Sequence, residues 1–271
     1  MEISRDNIIE ILNKTGIHPS KDYGQNFLVE PSIADKIVQS LSLVEKDNVL
    51  EIGPGLGSLT HFLSMSSASI TLVDIDYKMT DWLSVIYKDR PNVQIITNDV
   101  RKLDVGEYSK VIGNLPYNIT TELVSFLLIN ARKCKKMVLM CQSETFEHFY
   151  QTKGSEYGPV SVLVHLLGEI KKILTVKAGS FVPAPKCAST VFEITIKDNI
   201  DYDYAIQVYK LSKSLFLNRR KTILNNFINY LSNKELANQI LNKCEVNPQL
   251  RPEEITPEMY TKIYDMMKLL N

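Results

Sequence analysis

Asn114-Leu115-Pro116-Tyr117, arriving directly after the apolar run Val111-Ile112-Gly113, brings together the groups needed to activate an exocyclic amine. Such an amine is a poor nucleophile, because its lone pair is delocalised into a heteroaromatic ring. A site that draws its two N–H bonds into hydrogen bonds favours a tetrahedral nitrogen with the lone pair aimed at an electrophile, which takes two acceptors and one flat wall. The side-chain oxygen of Asn114 can be one acceptor. The other can be the main-chain carbonyl of Leu115 or of Pro116, since proline fixes its own φ and pushes the residue before it into an extended conformation. Tyr117 can be the wall, its ring stacking on a base taken out of its helix. The same tetrapeptide also reads as a strand end followed by a turn, so its meaning depends on the rest of the chain.

A glycine loop, Glu51-Ile52-Gly53-Pro54-Gly55-Leu56-Gly57, lies some sixty residues earlier. Glycines there let the chain turn sharply and let a ligand approach the backbone. A dinucleotide fingerprint would need glycine where Ser58 stands, so a nicotinamide dehydrogenase is disfavoured. The G-x-G-x-G form after an acidic residue looks like the nucleoside-binding loop of S-adenosylmethionine-dependent methyltransferases. Acidic residues follow where a nucleoside needs them. Asp74 closes the next apolar run about twenty residues past the loop, from where a carboxylate can accept from both ribose hydroxyls. Asp76 is the competing candidate, and it reads better as a solvated cap of the following helix. Asp99, in Thr97-Asn98-Asp99-Val100, can accept from the adenine amino group of such a ligand.

These residues need a scaffold that puts strand ends side by side. Short apolar runs recur at Asn48–Gly53, Ser69–Asp74, Val93–Thr97, Lys110–Asn114 and Met137–Gln142, separated by stretches of helical length, the alternation of βαβ units around a parallel sheet. Glu169–Val176 and Ser189–Lys197 are expected as antiparallel edge strands, and Val160–Leu167 fits strand and helix equally. An N-terminal helix is expected around Ile8, Ile9 and Leu12, followed by the polar stretch Lys21–Leu28 and a helix from about Ser32 to Leu43. From Asp201 onward the pattern is helical.

Composition narrows the class. The 271 residues, 44% of them apolar, suffice for one large domain and a small one. Cys134, Cys141, Cys187 and Cys244 show no C-x-x-C spacing, and the start Met1-Glu2-Ile3-Ser4-Arg5-Asp6 has no apolar leader, so reduced thiols in a cytoplasmic protein without membrane insertion are expected. His18, His61, His148 and His165 are scattered, and no metal is expected. Lysine plus arginine equal aspartate plus glutamate at 31 each, so a nucleic-acid partner would require basic residues gathered on one face.

The chain resembles the ribosomal RNA adenine N6,N6-dimethyltransferases over nearly its whole length, and its small-subunit (16S) branch most closely. Gly24-Gln25-Asn26-Phe27-Leu28 is similar to the family's N-terminal motif, and Phe181-Val182-Pro183-Ala184-Pro185-Lys186 to its F-x-P-x-P segment. The resemblance implies an α/β fold with a Rossmann-like S-adenosylmethionine-binding domain over 1–198, a mostly parallel twisted sheet with helices on both faces, and a helical RNA-recognition domain over 199–271. It implies S-adenosylmethionine held by Gln25, Asn26, Leu28, Glu51, Gly53, Gly55, Asp74, Asp99 and Asn114, with Phe181 facing Tyr117 across a flipped adenine. Phe216-Leu217-Asn218-Arg219-Arg220-Lys221-Thr222 is similar to the small-subunit branch's helix motif, in which Arg219, Arg220 and Lys221 would meet phosphates. The implied activity is dimethylation of two adjacent adenosines in the 3′-terminal hairpin of small-subunit RNA within a pre-30S particle, by a monomer. A large-subunit (23S) resistance methyltransferase and an assembly factor that mainly binds RNA are the alternatives.

Overall fold

The computed structural model describes residues 4–20 and 23–270; Lys21 and Asp22 of the polar stretch, like Met1–Ile3, lie outside the described residues. The chain runs α1 (Arg5–Thr15), β1 (Phe27–Leu28), α2 (Pro31–Ser40), β2 (Asn48–Ile52), α3 (Ser58–Leu63), β3 (Ser69–Asp74), α4 (Tyr77–Ile86), β4 (Val93–Thr97), β5 (Lys110–Asn114), α5 (Thr120–Asn130) and β6 (Lys136–Gln142). It continues through α6 (Ser143–Tyr150), α7 (Pro159–Leu167), β7 (Gly168–Val176), β8 (Phe181–Val182), β9 (Ser189–Ile196), α8 (Tyr202–Leu215), α9 (Ile223–Leu231), α10 (Lys234–Lys243) and α11 (Pro257–Leu270). Among the described residues no helix is long and apolar enough to cross a membrane.

Seven strands form one sheet in the order β4-β3-β2-β5-β6-β9-β7. The first five are parallel, and β9 runs antiparallel to β6, with Gln142 opposite Ser189. Successive side chains of a strand point to opposite faces. Here Val49, Ile70, Leu72, Ile112, Val138 and Met140 share one buried cluster with Ala34, Ile37, Leu59, Leu63 and Leu83 of α2, α3 and α4. Their neighbours Leu50, Val73, Val111, Met137 and Leu139 point the other way and are buried too. Both faces are therefore covered, which is why these strands read as unbroken apolar runs. Ser189–Ile196 is not an edge as expected: β7 lies outside it, so its residues are buried from both sides except Glu193 and Thr195.

The sheet is close-packed where β2 meets β5. Gly113 stands opposite Ile52, and a Cβ on it would lie 2.6 Å from the Ile52 carbonyl oxygen. No rotamer relieves a clash with backbone. Gly113→Ala is therefore expected to cost about 1–3 kcal/mol of stability and to displace Asn114 next to it; an unchanged denaturation midpoint would contradict the packing described.

The chain's contacts divide it into two compact units, residues through Phe146 with Lys171–Ile196, and Glu147–Ile170 with Lys197–Asn271. The first holds the sheet. In the second, Tyr157 and Val162 pack with Val208, Leu211, Phe227, Ile240, Tyr260 and Ile263. A single division at residue 198 would have assigned Glu147–Ile170 to the sheet unit, whereas the segment groups with the C-terminal helices, among which Tyr157, Val162 and Leu166 pack. The ambiguous segment 160–167 is α7, entered through Pro159 in its first turn, with Val160–Val164 and Leu167 all buried. A helix buried along its length loses its polar stripe, and with it the periodicity that distinguishes helix from strand.

Candidate active site

The sheet turns its carboxyl ends toward one cavity, and the strand order reverses there: β3 and β4 lie on one side of β2, and β5 lies on the other. Ligands bind open α/β sheets at such a switch point. The cavity is lined by Gln25 and Phe27 ahead of α2, Gly53 and Gly55 after β2, Asp74 and Ile75 at β3, Asn98 to Arg101 after β4, and Asn114 and Pro116 at β5, with Ile119 and Leu123 beyond.

Gly53 and Gly55 have φ of +63° and +56°, a region that disfavours side chains. The loop so formed aims the Gly55 N–H at Asp74, whose Oδ2 accepts it at 3.3 Å while Oδ1 accepts from the Asp76 N–H at 3.0 Å. Burial pushes the Asp74 carboxyl up to about 6, opposed by these N–H donors. Asp76 does cap α4, accepting from the Lys78 N–H, but it is buried rather than solvated. Its other oxygen accepts from Gln25 Nε2 at 2.9 Å.

Asp99 is half-buried behind β4 and carries Arg101 on its carboxylate, which holds it below the usual carboxylate range. Asn114, the last residue of β5, donates from Nδ2 to the Asn26 carbonyl at 2.9 Å. A carbonyl can only accept, so the amide is oriented with its NH2 toward Asn26 and its oxygen away from it. That oxygen, Oδ1, is buried and has no hydrogen-bond partner among the described residues. An orphaned buried acceptor facing a cavity marks the place of a missing donor.

The main-chain acceptor left open by the sequence is decided locally. Pro116 O accepts from Thr120 Oγ1 at 2.8 Å and from the Ile119 N–H at 3.3 Å, which occupies both lone pairs. The Leu115 carbonyl has no such partner among the described residues. The hydroxyl of Tyr117 is tied to Ser189 Oγ at 2.8 Å.

Several expected residues do not line the cavity. Glu51 shares the sheet face of Val49, is 1% exposed, and its Oε2 accepts from Thr60 Oγ1 of α3 at 2.8 Å. Asn26 and Leu28 work through their carbonyls, which accept from Asn114 and from Ser58 Oγ (2.7 Å), so the serine that breaks the dinucleotide fingerprint fastens the N-terminal segment to α3. Leu115 has its side chain buried, and Tyr117 lies beside the cavity. Phe181 pairs with Leu28 and its ring is fully buried near Val176, so it does not stand open across from Tyr117; the β1–β8 pairing draws it into the core. In the second unit, Arg219 is exposed, donates to the Ser155 and Tyr157 carbonyls and lies over the Phe216 ring. Arg220 and Lys221 are exposed. Ile75 and Arg101, which line the cavity, went unnoticed in the sequence, although Ile75 follows Asp74 directly and Arg101 lies two residues after Asp99.

Burial pushes the Glu51 carboxyl up to about 8 from an ordinary 4.5, with Asp74 adding to the shift. Between those values the unfolded chain has released a proton that the folded chain still holds, so stability falls as pH rises through the window, by at most ~1.4 kcal/mol per pH unit. Asp74 acts in the same direction only up to about 6. Glu51→Gln is expected to flatten the decline between pH 6.5 and 8.5, measured by urea unfolding; parallel curves for both proteins would contradict a neutral Glu51.

A sequence profile described as Ribosomal RNA adenine dimethylase matches residues 18–268. The chain is 34% identical to Ribosomal RNA small subunit methyltransferase A of Shouchella clausii, over 95% of this chain and 92% of that one. It is likewise 34% identical to the protein of the same name from Malacoplasma penetrans, over 94% of each. Among solved structures, a dimethyladenosine transferase from Plasmodium falciparum superposes with a TM-score of 0.76 at 24% identity, over 90% of this chain and 98% of that one. The 23S rRNA methyltransferase ErmE superposes with 0.69 at 20% identity, over 90% and 100%. Both share the fold.

Proposed function

The chain belongs to the ribosomal RNA adenine dimethylase family, and from that premise we propose that it dimethylates N6 of two adjacent adenosines in the 3′-terminal hairpin of small-subunit (16S) ribosomal RNA. It is an S-adenosylmethionine-dependent rRNA adenine dimethyltransferase. The small-subunit substrate is supported by the curated relatives named for it, at 34% identity over nearly full length.

The observation that carries the chemistry is the Asn114 side-chain oxygen, buried, without a hydrogen-bond partner among the described residues and oriented by the Asn26 carbonyl. S-adenosylmethionine, when bound, supplies an electrophilic methyl group on a sulfonium. Asp74 would hold its ribose, Asp99 its adenine amino group, and the bare backbone at Gly53 and Gly55 admits it close to the chain, where a side chain would strike Phe27, 3.0 Å from a Gly55 Cβ. Asn114 Oδ1 and the Leu115 carbonyl accept the two N–H groups of the target amine, drawing its lone pair out of the ring and fixing its direction of approach. Thr120 supports this arrangement by occupying the Pro116 carbonyl, and Ser189 by steadying the Tyr117 ring on which the base stacks. The proton lost from nitrogen leaves to water. After one transfer a single N–H remains, so in the second round one acceptor keeps its partner. Arg220 and Lys221 are the residues of their motif free to meet phosphates, in RNA presented by an immature small-subunit particle.

The test is transfer of labelled methyl from S-adenosylmethionine to under-methylated small subunits, with large subunits and free RNA in parallel, followed by nucleoside analysis. N6,N6-dimethyladenosine in the small subunit is expected. Label confined to large-subunit RNA would replace this reading with the resistance activity, and no label in any RNA would leave an RNA-binding assembly factor.

A further inference from the structure

Asp99 does not meet the cavity alone. The backbone N–H and Nε of Arg101 both donate to its Oδ1 at 3.0 Å, Nη2 donates to Oδ2 at 2.5 Å, and Nε also lies 3.1 Å from Oδ2. The remaining arm of the guanidinium, Nη1, donates to Glu122 Oε1 of α5 at 2.7 Å. Arg101 itself lines the cavity.

A carboxylate offers about four acceptor positions. Three N–H groups of Arg101 are already on it, so one position on Oδ2 is left. The fork of a guanidinium fixes the plane of the carboxylate it grips, which a point charge does not. With Glu122 on its far side the guanidinium is itself held from two elements, the turn after β4 and the first turn of α5.

We propose that Arg101 is a specificity-determining positioning residue, which holds Asp99 as an ionised, single-vacancy acceptor and so makes the nucleoside pocket select a 6-amino over a 6-oxo purine. This rests on the reading that Asp99 meets the purine edge of the methyl donor. A 6-amino group fills the vacancy with one N–H. A 6-oxo group presents a lone pair to a carboxylate that can neither turn away nor take up a proton to donate, so the mismatch is left uncompensated in a half-buried site. The lowered proton affinity of the Asp99 carboxyl, for which the Arg101 hydrogen bonds are the largest cause, agrees with this geometry.

Calorimetric dissociation constants for S-adenosylhomocysteine and its 6-oxo (inosine) analogue, on the wild type and on Arg101→Met, Arg101→Lys, Glu122→Gln and Asp99→Asn, test the proposal without reference to turnover. The wild type is expected to prefer the 6-amino ligand by roughly a hundredfold or more. Arg101→Met should shrink that preference at least tenfold, because the released carboxylate can rotate or protonate. Arg101→Lys, which keeps the charge and loses the fork, should recover only part of it, and Glu122→Gln should lower it two- to threefold. Full preference in Arg101→Met, or in Glu122→Gln should Arg101→Met fail to fold, would overturn the role of Arg101. Full recovery by Arg101→Lys would reduce that role to charge alone and overturn the positioning. A wild type without preference, or Asp99→Asn that retains it, would instead remove Asp99 from the purine edge.

Discussion

Asn114→Ala is expected to lower kcat for methyl transfer by about a hundred- to a thousandfold, the scale of losing one preorganised acceptor at a reacting centre. The amine would keep the Leu115 carbonyl and lose the partner of its second N–H, so its lone pair would stay in the ring. Binding of S-adenosylhomocysteine should change only a few-fold, because the ribose is assigned to Asp74 and the purine to Asp99. Asn114→Asp sharpens the test. A carboxylate there would turn an oxygen toward the Asn26 carbonyl, which now accepts from Nδ2 at 2.9 Å, and the repulsion would move the N-terminal segment. Loss of activity in both variants with folding retained in the alanine one is the expected pattern; near wild-type turnover in Asn114→Ala would remove the residue from the reaction.

Asp74→Ala should raise the dissociation constant of S-adenosylhomocysteine by roughly a hundredfold, about 3 kcal/mol for two hydrogen bonds to a buried charged group. RNA binding should be nearly unaffected, and equal losses for both ligands would indicate misfolding. The carboxylate also makes a pH signature. Burial has raised it to about 6, and hydroxyl donors favour its ionised form, so cofactor affinity should fall as pH drops through that value, at most tenfold per pH unit. Titration calorimetry between pH 5 and 7.5 reads this directly, and a flat profile would place the ribose elsewhere.

Much of this site was legible in the chain because its signals are local. The alternation of apolar runs and helical stretches announced a parallel sheet, and a glycine loop followed by acids at successive strand ends announced a nucleoside. Asn114 was legible for the same reason, an amide at a strand end followed by a proline that straightens the chain. The residues that eluded this reasoning act through distant partners. Glu51 looks like a ligand residue in the loop, but strand parity turns it toward Thr60. Phe181 carries the motif, but its pairing with Leu28, more than 150 residues away, buries it. Arg219, Arg220 and Lys221 form an exposed run of three cations, and only in space does Arg219 meet the carbonyls of Ser155 and Tyr157.

By itself, the sequence determined the α/β class, the alternation of strands and helices in the central sheet and the family, and it supplied the chemistry proposed for the amine, because each depends on residue types at short, fixed spacing. The tertiary structure decided which carbonyl is free to accept, which way the Asn114 amide points, what braces Asp99 and which helices Glu147–Ile170 join. Those depend on what lies across a strand pair or a packed face. A donor or acceptor is committed only when its partner arrives in space, and no local spacing records that arrival.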